Sequence, residues 1–151
     1  MTKYLVCVFF VVAVGSAATE PGNQVRCVGG TLATFQSGLK GTVRTADQDA
    51  FVFVTPTSTL RIPYEKIDMI EYGQEVSRRV VLAWVISPIF LLLKARAHFV
   101  TLGFTDETGK HQAIVLRVDK HLIRSELAAL EARTGHTVQY QDAEARKFRH
   151  G

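Results

Sequence analysis

The chain lacks the cysteine pairs that would staple a small exported fold. Its two cysteines are Cys7 and Cys27, and Cys7 lies in an apolar N-terminal stretch, so the rest holds one thiol and must stand on a hydrophobic core. Metal-ligand spacing is missing as well: His98, His111, His121, His136 and His150 form neither HxxxH nor HExxH and fall on different predicted elements. Ser37, Ser58, Ser77, Ser87 and Ser125 have no G-x-S-x-G setting, and no G-K-[ST] follows Gly29-Gly30 to form a phosphate loop. Asp47 and Asp49 make a close carboxylate pair, but in a turn between strands such a pair caps the chain and stays solvated. Glu71 and Tyr72, with Arg78 and Arg79 a few residues on, form a small polar group for which salt bridging at a strand edge is the simpler account. No catalytic constellation assembles from these residues. The expectation is a non-catalytic protein with no cofactor and no metal.

Strong charge of one sign is absent too. The net charge of +4, from 18 basic against 14 acidic residues, is mild, and no basic stretch is interleaved with aromatics. Nucleic acid is therefore not an expected partner. A full-length membrane span is also missing from the interior. The longest apolar run, VVLAWVISPIFLLL from Val80 to Leu93, rises only about 21 Å as a helix, whereas a bilayer core is about 30 Å thick.

What is present begins at the N-terminus. Lys3 precedes an apolar stretch from Tyr4 to Val14, and small residues follow as Gly15-Ser16-Ala17-Ala18. This is the three-part pattern of a secretory signal peptide, with cleavage expected after Ala17 or Ala18; an uncleaved anchor is the alternative. Residues 1–18 are thus read as a signal and 19–28 as a flexible leader, with Cys27 partly buried near it. Residues 29–135 form one domain, interrupted by an apolar insert over 78–96, and 136–151 a charged tail. The expected location is the periplasm or a membrane-associated position in the cell envelope.

The insert has two readings. Arg78 and Arg79 precede it, Lys94 and Arg96 follow it, and Trp84 lies within it. Cationic borders and an indole suit a segment dipping into a membrane interface. On that reading Arg78, Arg79, Trp84, Ile86, Phe90, Leu91, Lys94 and Arg96 make the membrane contact. On the other, the run is a buried core element or is covered by a second copy of the chain.

Short strand-like segments fill the rest. Gly30–Phe35, Leu39–Thr45, Phe51–Val54, Thr59–Ile62 and Asp68–Tyr72 are separated by turn-forming residues, with Pro63–Lys66 as a single turn. Phe51 to Val54 is apolar on both faces and so reads as a central or barrel-lining strand. His98–Thr105 alternates in period two, and Asp106-Glu107-Thr108-Gly109 makes a hairpin to Lys110–Val118. Asp119 is the expected N-cap and Gly135 the expected C-terminal glycine of an amphipathic helix carrying Ile123, Leu127 and Leu130 on one face.

About seven strands followed by one helix resemble a pleckstrin-homology-like (PH-like) domain. The segment LRIPYEKIDMIEY, Leu60 to Tyr72, is similar to the strand, I-P-Y-x-x-I, strand step of bacterial PH-like and GRAM-like domains. The hairpin FTDETGKHQAIVLRV and the helix ending from Leu127 to Gly135 are similar to the same group of small exported bacterial proteins. The resemblance implies a mainly β fold, a bent barrel closed at one end by the helix, with Ile62, Tyr64 and Ile67 anchoring the turn. The Val80–Leu93 insert departs from a minimal domain of that kind. The functional expectation is a non-catalytic binding or scaffold module held at an envelope membrane, with membrane lipid or an envelope protein as partner. The alternative is a soluble exported binding or assembly domain in which 80–93 is buried in the fold or in a homo-oligomer interface, and a small envelope enzyme stands well behind both.

Overall fold

The structure is a computed structural model and describes residues 24–44, 47–74, 97–141 and 146–147. The expected signal segment, the cut at Ala17 or Ala18 and the apolar insert lie outside the described residues. In chain order the elements are strands β1 (Gln24–Gly30), β2 (Lys40–Arg44), β3 (Ala50–Val54) and β4 (Thr59–Pro63), a single 3₁₀ turn at Tyr64–Lys66, then β5 (Ile67–Gly73), β6 (His98–Thr105) and β7 (His111–Val118), helix α1 (Ile123–Thr134) and the short strand β8 (Gln139–Tyr140).

The strands form one sheet in the order β4-β3-β2-β1-β7-β6-β5-β8. Every pairing is antiparallel except β5 with β8, which is parallel. The fold is mainly β with a helix, as expected. The sheet is open: its outermost strands are β4 and β8, with no barrel closure between them among the described residues.

Three local features follow directly from residue type. Phe51 and Phe53 of β3 face the core cluster, and Val52 on the opposite face is buried as well. The β6–β7 turn is held by the Asp106 carboxylate, which accepts from the backbone N–H of Thr108 and Lys110, the Thr108 hydroxyl and the Gln112 amide. Gly109 supplies the positive φ of 81° this turn needs. Gly135 ends α1 in the left-handed region at φ 72°, and its N–H donates to the Glu131 carbonyl at 2.9 Å.

Other expectations need correction. The first strand is not Gly30–Phe35 but Gln24–Gly30, so the expected leader already contributes sheet residues. The stretch Thr31–Leu39 is a loop whose Phe35 turns inward onto Phe53, ring centroids 5.9 Å apart. Asp119 does not cap the helix with its side chain. Its carboxylate accepts from His121 N–H and its carbonyl from the N–H groups of Leu122 and Ile123, so it closes a preceding turn and α1 begins four residues later. The stretch 136–151, read as a charged tail, contributes Gln139 and Tyr140 to the sheet beside β5.

One face of the sheet forms the core with α1. Ile123, Leu127 and Leu130 of the helix join Phe53, Ile62, Tyr72, Leu102 and Leu116 of the strands in a single cluster. Each such side chain removed from water contributes about 1.5–3 kcal/mol. Ile62, Tyr64 and Ile67 are all buried and anchor the 3₁₀ turn.

Candidate functional site

The opposite face of the sheet carries the charge. Arg26 of β1 stands opposite Lys40 of β2 and opposite Arg117 of β7 in the strand register. Directly paired residues project from the same face of a sheet, and the neighbours Val25, Cys27, Leu116 and Val118 point into the core. Lys40, Arg26 and Arg117 therefore form a row across three adjacent strands on the face away from α1, and all three are exposed. Adjacent strands lie about 4.8 Å apart, which makes the row about 10 Å long.

This row borders a cleft of about 480 Å³ at the end of the sheet where β1 and β6 begin and β7 finishes. Its other lining residues include Lys120, Asp119, Gln24, Ala97 and His98. Four cations thus face one carboxylate. The Arg61–Asp47 ion pair and the contact between His111 and Asp68 lie elsewhere. Arg26, Lys40, Arg117 and Lys120 have no carboxylate partner among the described residues.

His98 sits at the floor of this region. Its Nδ1 is 2.6 Å from the Tyr72 hydroxyl, and the two rings stack. Burial pushes the imidazole below its ordinary value, with nearby Asp119 opposing and Lys120 reinforcing the shift. The hydrogen bond between the His98 ring and the buried Tyr72 hydroxyl braces the start of β6.

Beyond the cation row the same face turns apolar. Val115 pairs with Thr101, and Ala113 with Gly103. Val115 and Ala113 are 0 % exposed and Thr101 4 %, although α1 packs on the other side.

The remaining polar candidates resolve into structure. The Asp47 carboxylate accepts from the N–H of Asp49 and Ala50 and from Arg61, whose hydrogen bond is the main reason its pKa lies below the ordinary range. The turn-capping reading of the Asp47–Asp49 pair therefore holds. Glu71 accepts from the Gln141 side-chain amide. Cys27 is not half-exposed beside a leader: it is fully buried, its thiol donates to the Phe35 carbonyl at 3.3 Å, and burial pushes its pKa up to about 11. Such a thiol is inert as a nucleophile.

The expected membrane-contact residues Arg78, Arg79, Trp84, Ile86, Phe90, Leu91, Lys94 and Arg96 all lie outside the described residues. The cation row was not legible in the sequence, because Arg26, Lys40 and Arg117 come from distant segments and only the register aligns them. Glu126, 7 % exposed on the core face of α1, is the one buried carboxylate among the described residues.

Compared with known proteins, the chain matches no family model and no curated protein.

Proposed function

We propose that this chain is a non-catalytic PH-like binding module that works against an anionic membrane of the cell envelope, exported through residues 1–18 and contacting lipid through 80–93. The observation that carries this reading is the position of the cationic cleft. Ala97 lines it beside Arg26, Lys40, Arg117 and Lys120, and in the sequence Lys94 and Arg96, the basic border of the apolar run, lie within three residues of Ala97. Cations near a membrane surface each contribute about 1 kcal/mol of attraction to anionic lipid. A short apolar run beside them supplies the second signal that stable peripheral binding requires.

The PH-like part of the reading draws support from the strand order. An antiparallel series β4-β3-β2-β1-β7-β6-β5 followed by a helix on the core face is what a bent seven-strand sheet closed at one end by its helix would have. The fold alone would leave the ligand open.

A second reading keeps 80–93 inside the protein. The burial of Val115, Ala113 and Thr101 on the face away from α1 favours it, since an apolar sheet face needs an apolar cover. Native-cell fractionation with a carbonate wash, followed by sedimentation with anionic vesicles, separates the two. The membrane module stays in the membrane pool and sediments with the vesicles. A chain that remains in the soluble fraction and ignores the vesicles overturns the first reading and leaves the second.

A further inference from the structure

We infer that the row Lys40, Arg26 and Arg117, completed by Lys120, is a binding site for a ligand that carries two phosphate groups. The inference deepens the membrane-surface reading but does not need a bilayer, because a lipid head group and a soluble diphosphate present the same chemistry. Like charges directly opposite one another in a sheet destabilise it. Here the register puts Arg26 between two further cations; none of the three is ion-paired among the described residues, and Asp119 is the single carboxylate lining the same cleft. An anion bridging the row removes that repulsion and is paid for by it in stability of the complex.

Ligand chemistry follows from donor type and spacing. Two guanidinium groups present planar forks that match phosphate oxygens in pairs, and the flanking lysines add point charges. A row of about 10 Å is too long for one phosphate to bridge and suits two on a short linker. The cleft of about 480 Å³ falls within the range of small-ligand pockets, about 300–1,000 Å³. Because the cations are exposed, binding is moderate and falls with salt.

The test uses the full chain, inorganic pyrophosphate as the soluble probe, and phosphatidylcholine vesicles with or without cardiolipin as the lipid probe. Calorimetry at low salt is expected to show saturable pyrophosphate binding. Arg26→Glu weakens it by about tenfold to a hundredfold, the loss of charge-assisted hydrogen bonds. Lys110→Glu makes the same charge change at the far end of β7 and leaves the affinity unaltered. Arg26→Gln serves as the milder variant: without ligand it melts no lower than the wild type, and pyrophosphate no longer raises its melting temperature. Cardiolipin-dependent sedimentation lost in Arg26→Glu but kept in Lys110→Glu identifies a lipid source. Pyrophosphate binding without vesicle binding supports the site with a soluble source, and in that case it is the membrane reading that fails. If Arg26→Glu and Lys110→Glu weaken binding equally, or if the wild type shows neither saturable pyrophosphate binding nor Arg26-dependent sedimentation, the site is overturned.

Discussion

Glu126 is 7 % exposed, its Oε2 has no hydrogen-bond partner among the described residues, and burial pushes its carboxyl up to about 7. Its surroundings are the apolar side chains of α1 and the 3₁₀ turn, where Tyr64 senses both Glu126 and Arg133. The Arg133 guanidinium lies over the Tyr64 ring, 5.6 Å from its centroid. In the unfolded chain the proton leaves near the ordinary value of 4.5. Between that value and about 7 the folded state holds a proton that the unfolded state has lost, so stability falls as pH rises through this window. Above it the folded chain carries an unpaired buried charge at a cost on the order of 3 kcal/mol. His98 works in the opposite sense, since its depressed pKa favours the folded state as pH rises. The comparison must therefore be between variant and wild type. Glu126→Gln is expected to be more stable by about 2–3 kcal/mol near pH 8 and to match the wild type near pH 4, read from urea unfolding at each pH. A constant difference across that range would contradict the buried-carboxylate account. The burial was visible in the helix pattern, because 123, 126, 127 and 130 follow the spacing of one face. An apolar count that stops at Ile123, Leu127 and Leu130 passes over the acid between them.

Helix α1 is tied to the sheet by that same stripe, and Leu127→Asp would add a second carboxylate to it. The change is expected to cost several kcal/mol. Thermal unfolding monitored by circular dichroism checks this, and a wild-type melting curve would mean the helix is not docked. Elements with a strong local signal were legible in the sequence. His98–Thr105 matches β6 because its alternation is unbroken, and the hairpin behind it is marked by Asp106 and Gly109. β1 was misplaced for a physical reason: the polar, Pro- and Gly-containing run Thr19–Arg26 reads as a leader and hides the short Val25-Arg26-Cys27 alternation, whereas Leu32, Ala33 and Phe35 beside two threonines read as a strand. In the fold those residues serve a loop, with Phe35 packed onto Phe53 and the Thr31 hydroxyl accepting from Ala113 N–H at 3.0 Å. Helix entry was misjudged by three residues because Asp119 has the right chemistry for a cap but closes a separate turn, and the cap position falls to Leu122. The cationic row belongs to none of these local signals, since cross-strand register is a property of the assembled sheet.

At the scale of the whole molecule, the apolar run decides between the membrane and buried readings. Ile86→Asp combined with Leu91→Asp is expected to release the protein from membranes while the β fold remains, as judged by vesicle sedimentation and circular dichroism. Unfolding of the double variant would instead place the run in the core, where two unpaired carboxylates exceed a domain's net stability of about 5–15 kcal/mol. The sheet itself also has two ends to protect. At one, the β4 edge carries exposed Arg61 and ends on Pro63, features that discourage another strand from adding. At the other, the chain returns after α1 and lays Gln139 and Tyr140 along β5, while Gln141 N–H donates to the Tyr72 carbonyl at 3.0 Å. β8 is thus a clasp: the helix is held by β7 before it and by this strand after it, and Glu71 and Tyr72 of the β5 edge, which has no other strand neighbour on that side among the described residues, are paired from within. A chain cut after Gly135 would open the clasp and leave that edge seeking a partner. Size-exclusion chromatography at rising concentration is expected to show the shortened chain growing into strand-exchanged assemblies, from which the intact fold is shielded by two residues.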